Sequence, residues 1–417
     1  MKRRNLIWTL GALTGFLLIG CTDDSYRGTI DVELTVEKDI PHEVRMTIGA
    51  PEDIVDKSEE ENGPDAKGSG VIVDVNGFSG KDFYVYAFNK DGLTTLAATN
   101  ARDSIMCLID GTVDDPESLM GRKAVWNPET EFVEWESGDG PIYYPMGEGA
   151  GHIYNFFAYY LDDMEVENSD FHRTDDEIQI DIDIDGSQDI MSSKAAPTEE
   201  QLMHIKDHKE LVYMQYSSYG YYTATRGLHP NFIFGHHLVK LDFKLVPGGT
   251  PGSTKNVTVE KIEVVSKHKG RFTVADTKTE SALRIDFEED MKELQLKESD
   301  GSEFIPRLVT TYQDGAVVDG VVDDMGSLLV APDDEYTLLI TLSETDENDS
   351  QIHDPYPLVR SLTYVTSEGQ KSFEAGDEFL VTLTIYGKMD VRVSTDMLNW
   401  NEGGFYAPPT EDVPNVE

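Results

Sequence analysis

Asp181, Asp183, Asp185 and Gly186 carry the spacing that opens a calcium loop, with acids at the first, third and fifth positions and glycine at the sixth. Such a loop ends on a bidentate Glu at its twelfth position, where this chain has Ser192. Ile180, Ile182 and Ile184 alternate with the aspartates, so the same residues also read as a half-buried strand with its acids toward solvent. His204 and His208 lie four residues apart, close enough on a helix to share a zinc ion, with Asp207 as a nearby base. The zinc-protease pattern H-E-x-x-H needs Glu where Ile205 stands, and no third ligand follows at a suggestive spacing, which favours histidines facing solvent. His236 and His237 are adjacent in a strand pattern, point to opposite faces and make poor co-ligands. Cys107 is a lone thiol with apolar flanks, the usual signature of a core residue. The sequence contains no G-x-S-x-G elbow, P-loop or dinucleotide fingerprint. With 79 Asp and Glu, pairs at glycosidase spacing arise by chance. The expectation is a protein that is not an enzyme, with no catalytic residue, metal or cofactor.

The charge balance points the same way. Against those 79 acids stand 34 Lys and Arg, a net charge of −45, which repels phosphate backbones and anionic headgroups and removes nucleic acid from the expected partners. The N-terminus has the order of a secretory signal: Lys2, Arg3 and Arg4, an apolar run from Leu6 to Ile19, then Gly20 before Cys21. The run is too short to span a bilayer, which takes roughly twenty apolar residues. Leu18-Ile19-Gly20-Cys21 resembles the lipobox of bacterial lipoproteins. That resemblance implies removal of residues 1–20 and acylation of Cys21. Buried lipid contributes about 0.8 kcal/mol per methylene, so a multiply acylated cysteine anchors a chain to a membrane without a spanning helix. Cys107, the other of the two cysteines, then has no intramolecular disulfide partner, and stability must come from buried apolar surface. The 417 residues suffice for two cores, since single cores stop growing near roughly 250–300 residues.

The elements that must hold these residues are strands. Ile178 to Ile184, Leu241-x-Phe243-x-Leu245, Leu283-x-Ile285-x-Phe287 and Phe379-x-Val381-x-Leu383-x-Ile385 alternate with period two. Phe83 to Phe88 and Tyr154 to Tyr160 are apolar or aromatic on both faces and read as central strands. Turn-formers separate them: Asn89-Lys90-Asp91-Gly92, Asp185-Gly186, Pro247-Gly248-Gly249, Asp314-Gly315 and Asp333-Asp334. Short strands punctuated in this way indicate antiparallel sandwiches. One helix is expected as an insertion, starting at Pro197 and Thr198 with Glu199 and Glu200 in its first turn and Leu202, Ile205 and Leu211 as its buried stripe. The polar stretch Ser58 to Gly70 reads as a loop, and Ala407 to Glu417, with three prolines, as a tail.

With the strands placed, the sequence resembles the fimbrillin family, lipoprotein subunits of type V pili and related adhesins of Bacteroidota. Gly28-Thr29-Ile30-Asp31-Val32-Glu33-Leu34-Thr35-Val36, followed by a polar stretch ending in Arg45, is similar to the family's pro-segment. Phe83 to Asn89 resembles its early core strand, and Pro141 to Pro145 with Tyr154 to Tyr160 its aromatic strands. Asp189-Ile190-Met191 resembles a short Asp-x-Met segment, and Phe234-Gly235-His236-His237-Leu238-Val239-Lys240-Leu241 fits an F-x-H-x-L-x-K-L strand without a gap. Phe373-Glu374-Ala375-Gly376 and Asn399 to Gly404 resemble the closing elements. The resemblance implies an all-β chain of two transthyretin-like β-sandwich domains with a minor helical insertion. The expected layout is a signal over 1–20, a lipidated pro-segment over 21–45, an N-terminal domain over 46–225 and a C-terminal domain over 226–417. It further implies a trypsin-like protease cutting after Arg45, anchorage to the outer membrane through lipid, and other fimbrillin subunits as partners in a fimbrium at the cell surface.

The mechanics follow from sheet chemistry. Cutting after Arg45 removes the strand carrying Ile30, Val32, Leu34 and Val36 and leaves an open edge and an apolar groove for another extended segment. Near-terminal strands leave their own sheet with least disruption, which makes Leu380, Leu383 and Ile385, with Val391 and Val393, the candidate donor. Two alternatives stand beside this: an anchor or tip subunit that is not cleaved, and a monomeric surface lipoprotein that binds glycans on an exposed aromatic platform. Trp400 suits a core anchor or an interface, and the 19 tyrosines suit cores or carbohydrate stacking.

Overall fold

Phe83–Phe88 and Tyr154–Tyr160 owe their apolar character on both faces to their place in the middle of a sheet. The computed structural model describes residues 40–49, 75–90, 107–111, 119–136, 140–198, 201, 203, 218–248, 256–276, 283–298, 301–313, 316–319, 325–345, 351–387 and 390–398. The chain separates into two units, Met1–Val36 and Glu37–Glu417. The first lies outside the described residues, and the architecture below is that of the second.

An eight-stranded sheet holds both aromatic strands. Strand β2 (Asp82–Asn89) pairs antiparallel with β6 (Ile153–Tyr160) on one side and β4 (Arg122–Asn127) on the other. Beyond β4 lies β5 (Phe132–Trp135), and beyond β6 lie β9 (Met191–Lys194) and β12 (Gly235–His236). Strands β3 (Cys107–Ile109) and β10 (Tyr219–Gly220) attach to β2 and β6. Covered on both faces, Phe83, Tyr86, Phe88, Tyr154, Phe156, Phe157 and Tyr159 are all buried. Phe234 packs among them, 4.5 Å from Phe78 and 5.6 Å from Phe83 between ring centroids. Such pairs add about 0.5–1.5 kcal/mol beyond area burial.

A second sheet runs β16-β15-β8-β7 and joins residues distant in sequence. Strands β7 (Phe171–Arg173) and β8 (Glu177–Asp183) pair with β15 (Lys269–Asp276), which carries β16 (Ile285–Phe287). The register, Lys269 opposite Asp183 through Asp276 opposite Glu177, crosses the expected border at 225/226. Ile178, Ile180, Ile182 and Ile184 are buried and Asp181 and Asp183 exposed, as the period-two reading of this segment requires.

Two further sheets lie in the C-terminal half. One has the order β20-β13-β25-β26, from Ser327–Val330 (β20), Val239–Pro247 (β13), Glu378–Gly387 (β25) and Asp390–Leu398 (β26). Here β13 and β25 are parallel, with Lys240 opposite Glu378, while β25 and β26 are antiparallel. The other runs β19-β18-β14-β21-β22, from Ala316–Asp319 (β19), Arg307–Gln313 (β18), Asn256–Lys267 (β14), Tyr336–Thr345 (β21) and Gln351–Leu362 (β22), with β17 (Met291–Gln295) also on β14. Two small pairs complete the set: β1 (Thr47–Ile48) parallel to β11 (Asn231–Phe232), and the hairpin β23 (Tyr364–Thr366) with β24 (Gly369–Lys371). The chain is all-β.

Helical structure is minor. Thr198 begins the expected insertion helix with a reciprocal cap: its Oγ1 accepts from the Gln201 N–H at 3.1 Å, and its own N–H donates to Gln201 Oε1 at 3.3 Å. Gln201 and Met203 are helical, whereas Leu202, Ile205 and Leu211 lie outside the described residues, as do Ser58–Gly70 and the tail. A four-residue helix, α1 (Tyr221–Ala224), had no signal in the sequence beyond its capping Thr223. At the Asp185-Gly186 turn, Gly186 adopts φ +95°, and a Cβ there would stand 2.6 Å from Leu328 Cδ2.

One hydrophobic cluster runs from Tyr86 and Phe157 through Ile180 and Phe272 to Leu241, Ile340 and Leu383, so the two sequence halves share a core. At its margin Arg173 grips Asp110 through two bonds of 2.8 and 2.6 Å, with both side chains about 95% buried or more, and lies 5.6 Å over the Tyr86 ring. Removing one partner of a buried pair leaves the other charge without compensation, at a cost of about 3–5 kcal/mol, whereas replacing both with apolar groups is often near neutral. Asp110→Ala is therefore expected to lower stability by that amount in urea unfolding, and Asp110→Leu with Arg173→Met by much less. A double variant as unstable as the single one would refute the assignment.

Candidate functional site

The residues around Arg45 form a strand-like segment laid between three elements. His42–Ile48 alternates apolar Val44, Met46 and Ile48 with polar Glu43, Arg45 and Thr47, and the three apolar side chains are buried, Met46 completely. The Val44 N–H donates to the Ile142 carbonyl at 2.8 Å and the Tyr144 N–H to the His42 carbonyl at 3.0 Å, making an antiparallel bridge between Glu43 and Tyr143. The Val133 N–H of β5 donates to the Met46 carbonyl at 2.9 Å. The Thr47 and Gly49 N–H groups donate to Pro230 and Phe232, each at 2.9 Å, and Thr47 Oγ1 donates to Asn231 Oδ1 at 2.8 Å. Upstream, His42 packs edge-on against Tyr221 at 5.0 Å, and the Tyr221 hydroxyl donates to the Ile40 carbonyl at 3.1 Å. The Arg45 side chain points out: it is 54% exposed, lies 3.6 Å from Glu43 and rests over Phe132 at 5.3 Å. The sequence reading took this stretch for the polar end of a pro-segment. The alternation of Val44, Met46 and Ile48 was the signal that it missed.

The sequence segments singled out in the second half meet in space. Asp189, fully buried, lies 2.9 Å from Nδ1 of His236, so the Asp-x-Met and F-x-H-x-L-x-K-L segments are joined by a side-chain hydrogen bond. His237 turns the other way, as adjacent strand residues must: its Nε2 is 2.6 Å from Ser192 Oγ and its ring 4.9 Å from Phe272. Burial, with the neighbouring His236, pushes His237 down to about 3, so it is neutral at physiological pH. Farther along, the Gly376 N–H donates to the Leu238 carbonyl and the Lys240 N–H to the Asp377 carbonyl, both at 2.9 Å, which ties in the closing Phe373–Gly376 segment.

The candidate donor residues fall on two strands of different standing. Leu380, Leu383 and Ile385 lie on β25, which has β13 on one side and β26 on the other. Val391 and Val393 lie on β26, the outer strand of that sheet. Phe379, Val381, Leu383 and Ile385 of β25 are all fully buried, against Val391 alone on β26. At about 1.5–3 kcal/mol for each fully buried aliphatic or aromatic side chain, β26 detaches at a fraction of the cost of β25. Arg360 Nε donates to the Val391 carbonyl at 2.9 Å and Thr395 Oγ1 to the Thr363 carbonyl at 2.9 Å, so side chains cover part of this edge.

The acids of the calcium-like sequence are engaged by basic side chains. Asp181 contacts His172 Nε2 at 2.6 Å and Arg271 Nε at 3.1 Å, Asp183 contacts His268 Nδ1 at 2.6 Å, and Asp185 contacts Lys297 Nζ at 2.7 Å. Among the described residues no group of three His, Cys, Asp or Glu could hold a metal ion, and no helix is long and apolar enough to cross a membrane. Cys107 is buried, and burial pushes its thiol well up, away from the reactive thiolate. Cys21, the strand residues Ile30, Val32, Leu34 and Val36, His204, His208 and Trp400 lie outside the described residues.

No protein-family model matches the chain, and no curated protein does. Solved structures do. A fimbrial protein of Bacteroides vulgatus is 12% identical, with 86% of this chain and 99% of that one covered and a TM-score of 0.43. A candidate cell adhesion protein of Bacteroides uniformis is 14% identical over 86% and 98%, with a TM-score of 0.41. The fimbrial anchor protein Mfa2 of Porphyromonas gingivalis is 9% identical over 86% and 99%, with a TM-score of 0.30. Overlap at this level assigns no function.

A cluster of charged side chains lies where β13 meets β25. Lys240, 1% exposed, places Nζ 2.5 Å from Glu378 Oε1 and 3.3 Å from Asp242 Oδ2, and Ser327 Oγ donates to Asp242 at 2.5 Å. Burial works to lower Lys240, but the two carboxylates outweigh it and hold it above its ordinary value. Burial and the hydrogen bond with Asp242 push Glu378 up to about 7, against the pull of Lys240. Between its ordinary value and about 7, Glu378 is thus protonated in the folded chain and ionised in the unfolded one. Its contribution to stability is full below the unfolded value and fades as pH rises through about 7. Glu378→Gln, which mimics the protonated acid, is expected to flatten the decline in urea midpoint between about pH 5 and about pH 8. Parallel pH profiles for variant and parent would exclude the protonated carboxyl.

Proposed function

We propose that this chain is a fimbrillin-like structural subunit or surface adhesin that polymerises by strand exchange after proteolysis at Arg45. The observation that carries the reading is the segment around Arg45. A basic side chain stands out to solvent at the junction between residues that pair with Ile142–Tyr144 and residues that pair with β11. Removing everything up to Arg45 takes away Val44 and both backbone bonds to 142–144. It leaves a strand edge with the Tyr144 N–H and Ile142 carbonyl open, beside the space that Val44 filled. Only another extended segment restores such a ladder.

The strand best suited to be given away is β26, with Val391 and Val393, while β25 stays in its sheet because its four buried residues and two neighbours hold it there. In this reading Cys21 carries the lipid, the strand Ile30–Val36 belongs to the removed piece, a trypsin-like protease makes the cut, and the mature subunit joins other subunits in a fimbrium at the outer membrane. Two sandwich domains belong to the same proposal, with β7 and β8 from before residue 225 completing a sheet with β15 and β16 from after it. A glycan-binding monomer needs a platform of exposed rings, and among the described residues Tyr143 is the one aromatic among the exposed large apolar side chains. An enzyme needs an activated group, and Cys107 is held in the opposite state.

Purified precursor treated with trypsin is expected to give a product starting at Met46 and a ladder of multimers on a mild gel. Arg45→Ala should remain uncut at that site and monomeric. Val391→Asp should be cut at the parental rate yet form no ladder, since a charge on the inward face of β26 cannot enter an apolar groove at a cost below several kcal/mol. A lasting monomer after complete cutting would sink strand exchange, and a normal ladder from Val391→Asp would sink β26 as the donor.

A further inference from the structure

The recognition side chain and the bond to be cut at Arg45 are in opposite conditions. Arg45 offers a solvated guanidinium, but the next residue, Met46, is completely buried, and Val44 on the other side is 3% exposed. A protease holds its substrate as an extended strand through the substrate's own backbone hydrogen bonds. Those groups are already engaged here: Val44 N–H with Ile142, the His42 carbonyl with Tyr144, the Met46 carbonyl with Val133, and Thr47 N–H with Pro230.

We infer that the Arg45–Met46 bond is latched in the folded chain and is cut only when residues 40–45 peel away from Ile142–Tyr144 and Tyr221. The inference rests on Arg45 being the processing site and adds how that site is regulated. The two sides of the bond are held differently. Upstream, the attachments are two backbone bonds to 142–144, the Tyr221 hydroxyl on the Ile40 carbonyl and the Val44 side chain. Downstream, Met46 is sealed in the core, and Thr47 and Gly49 are tied to β11 by two backbone bonds and one side-chain bond. Peeling from the upstream side is the cheaper opening. After the cut the new terminus at Met46 stays anchored while residues 40–45 are free to leave. When reclosing outpaces cutting, the rate of cleavage follows the population of the opened form.

A reversible staple tests this. Glu43 and Tyr143 face each other as a non-hydrogen-bonded antiparallel pair, the geometry in which Cα atoms lie about 4.5 Å apart, within reach of a disulfide. In the full chain carrying Cys21→Ser, Glu43→Cys with Tyr143→Cys is oxidised or reduced, and limiting trypsin is followed by the mass of the product that begins at Met46. The oxidised form is expected to be cut at least about tenfold more slowly than the same protein reduced, and Val44→Ala, with an intact core elsewhere, about tenfold faster than the parent. Equal rates in the oxidised and reduced forms would overturn the latch while leaving Arg45 as the processing site. Failure of the folded parent to yield the Met46 product at any trypsin level below the unfolding transition would overturn both.

Discussion

Lys240 is the charge around which the C-terminal half is assembled. Its ammonium is out of water and is compensated by Asp242 on its own strand and Glu378 on the parallel neighbour. Parallel pairing between residues 138 apart has no turn to set its register, so a one-residue slip would move every side chain of β25 to the wrong face. A buried lysine that finds its carboxylates in one alignment penalises the alternatives, which is how buried ion pairs confer specificity even where they add little net stability. The segment that leads into this strand reaches Asp189 through His236 of β12, and its Leu238 carbonyl and the Lys240 N–H reach Gly376 and Asp377. One continuous segment, Phe234 to Leu241, thus supplies an aromatic packed against Phe83 of the first sheet, His237, which bonds Ser192 of that sheet and packs on Phe272 of the second, and the lysine set against Glu378 in the third.

Much of this was visible in the sequence because the period-two signal is strong where one face is buried. Ile178–Ile184, Leu241–Leu245 and Phe379–Ile385 are strands with the expected residues inside, and the two aromatic runs are central because both of their faces are covered. The strand-like character of the segment around Arg45 is weak in the sequence for a physical reason. Its three apolar residues are separated by Glu43, Arg45 and Thr47, and over so few residues local polarity outweighs periodicity. Nor could spacing alone reveal that Asp189 meets His236 or that Lys240 meets Glu378. Those contacts depend on strand order, and strand order is settled by packing among distant residues. The last two strands show the same limit: both lie near the terminus in sequence, and only the sheet order separates the inner β25 from the outer β26.

The pairing of β8 with β15 has a consequence for how the chain folds. Asp183 and His268 are 85 residues apart, and Lys240 and Glu378 farther still, so the sheets close through distant partners rather than through hairpins alone. Topologies of this kind fold slowly, and while β8 waits for β15 its edge is open to any strand nearby, including one from another molecule. The net charge of −45 acts on that interval. Mutual repulsion between half-folded chains lowers their encounter rate without needing any particular contact. The acidic composition thus acts as a kinetic safeguard, keeping half-folded copies apart until their own sheets are complete.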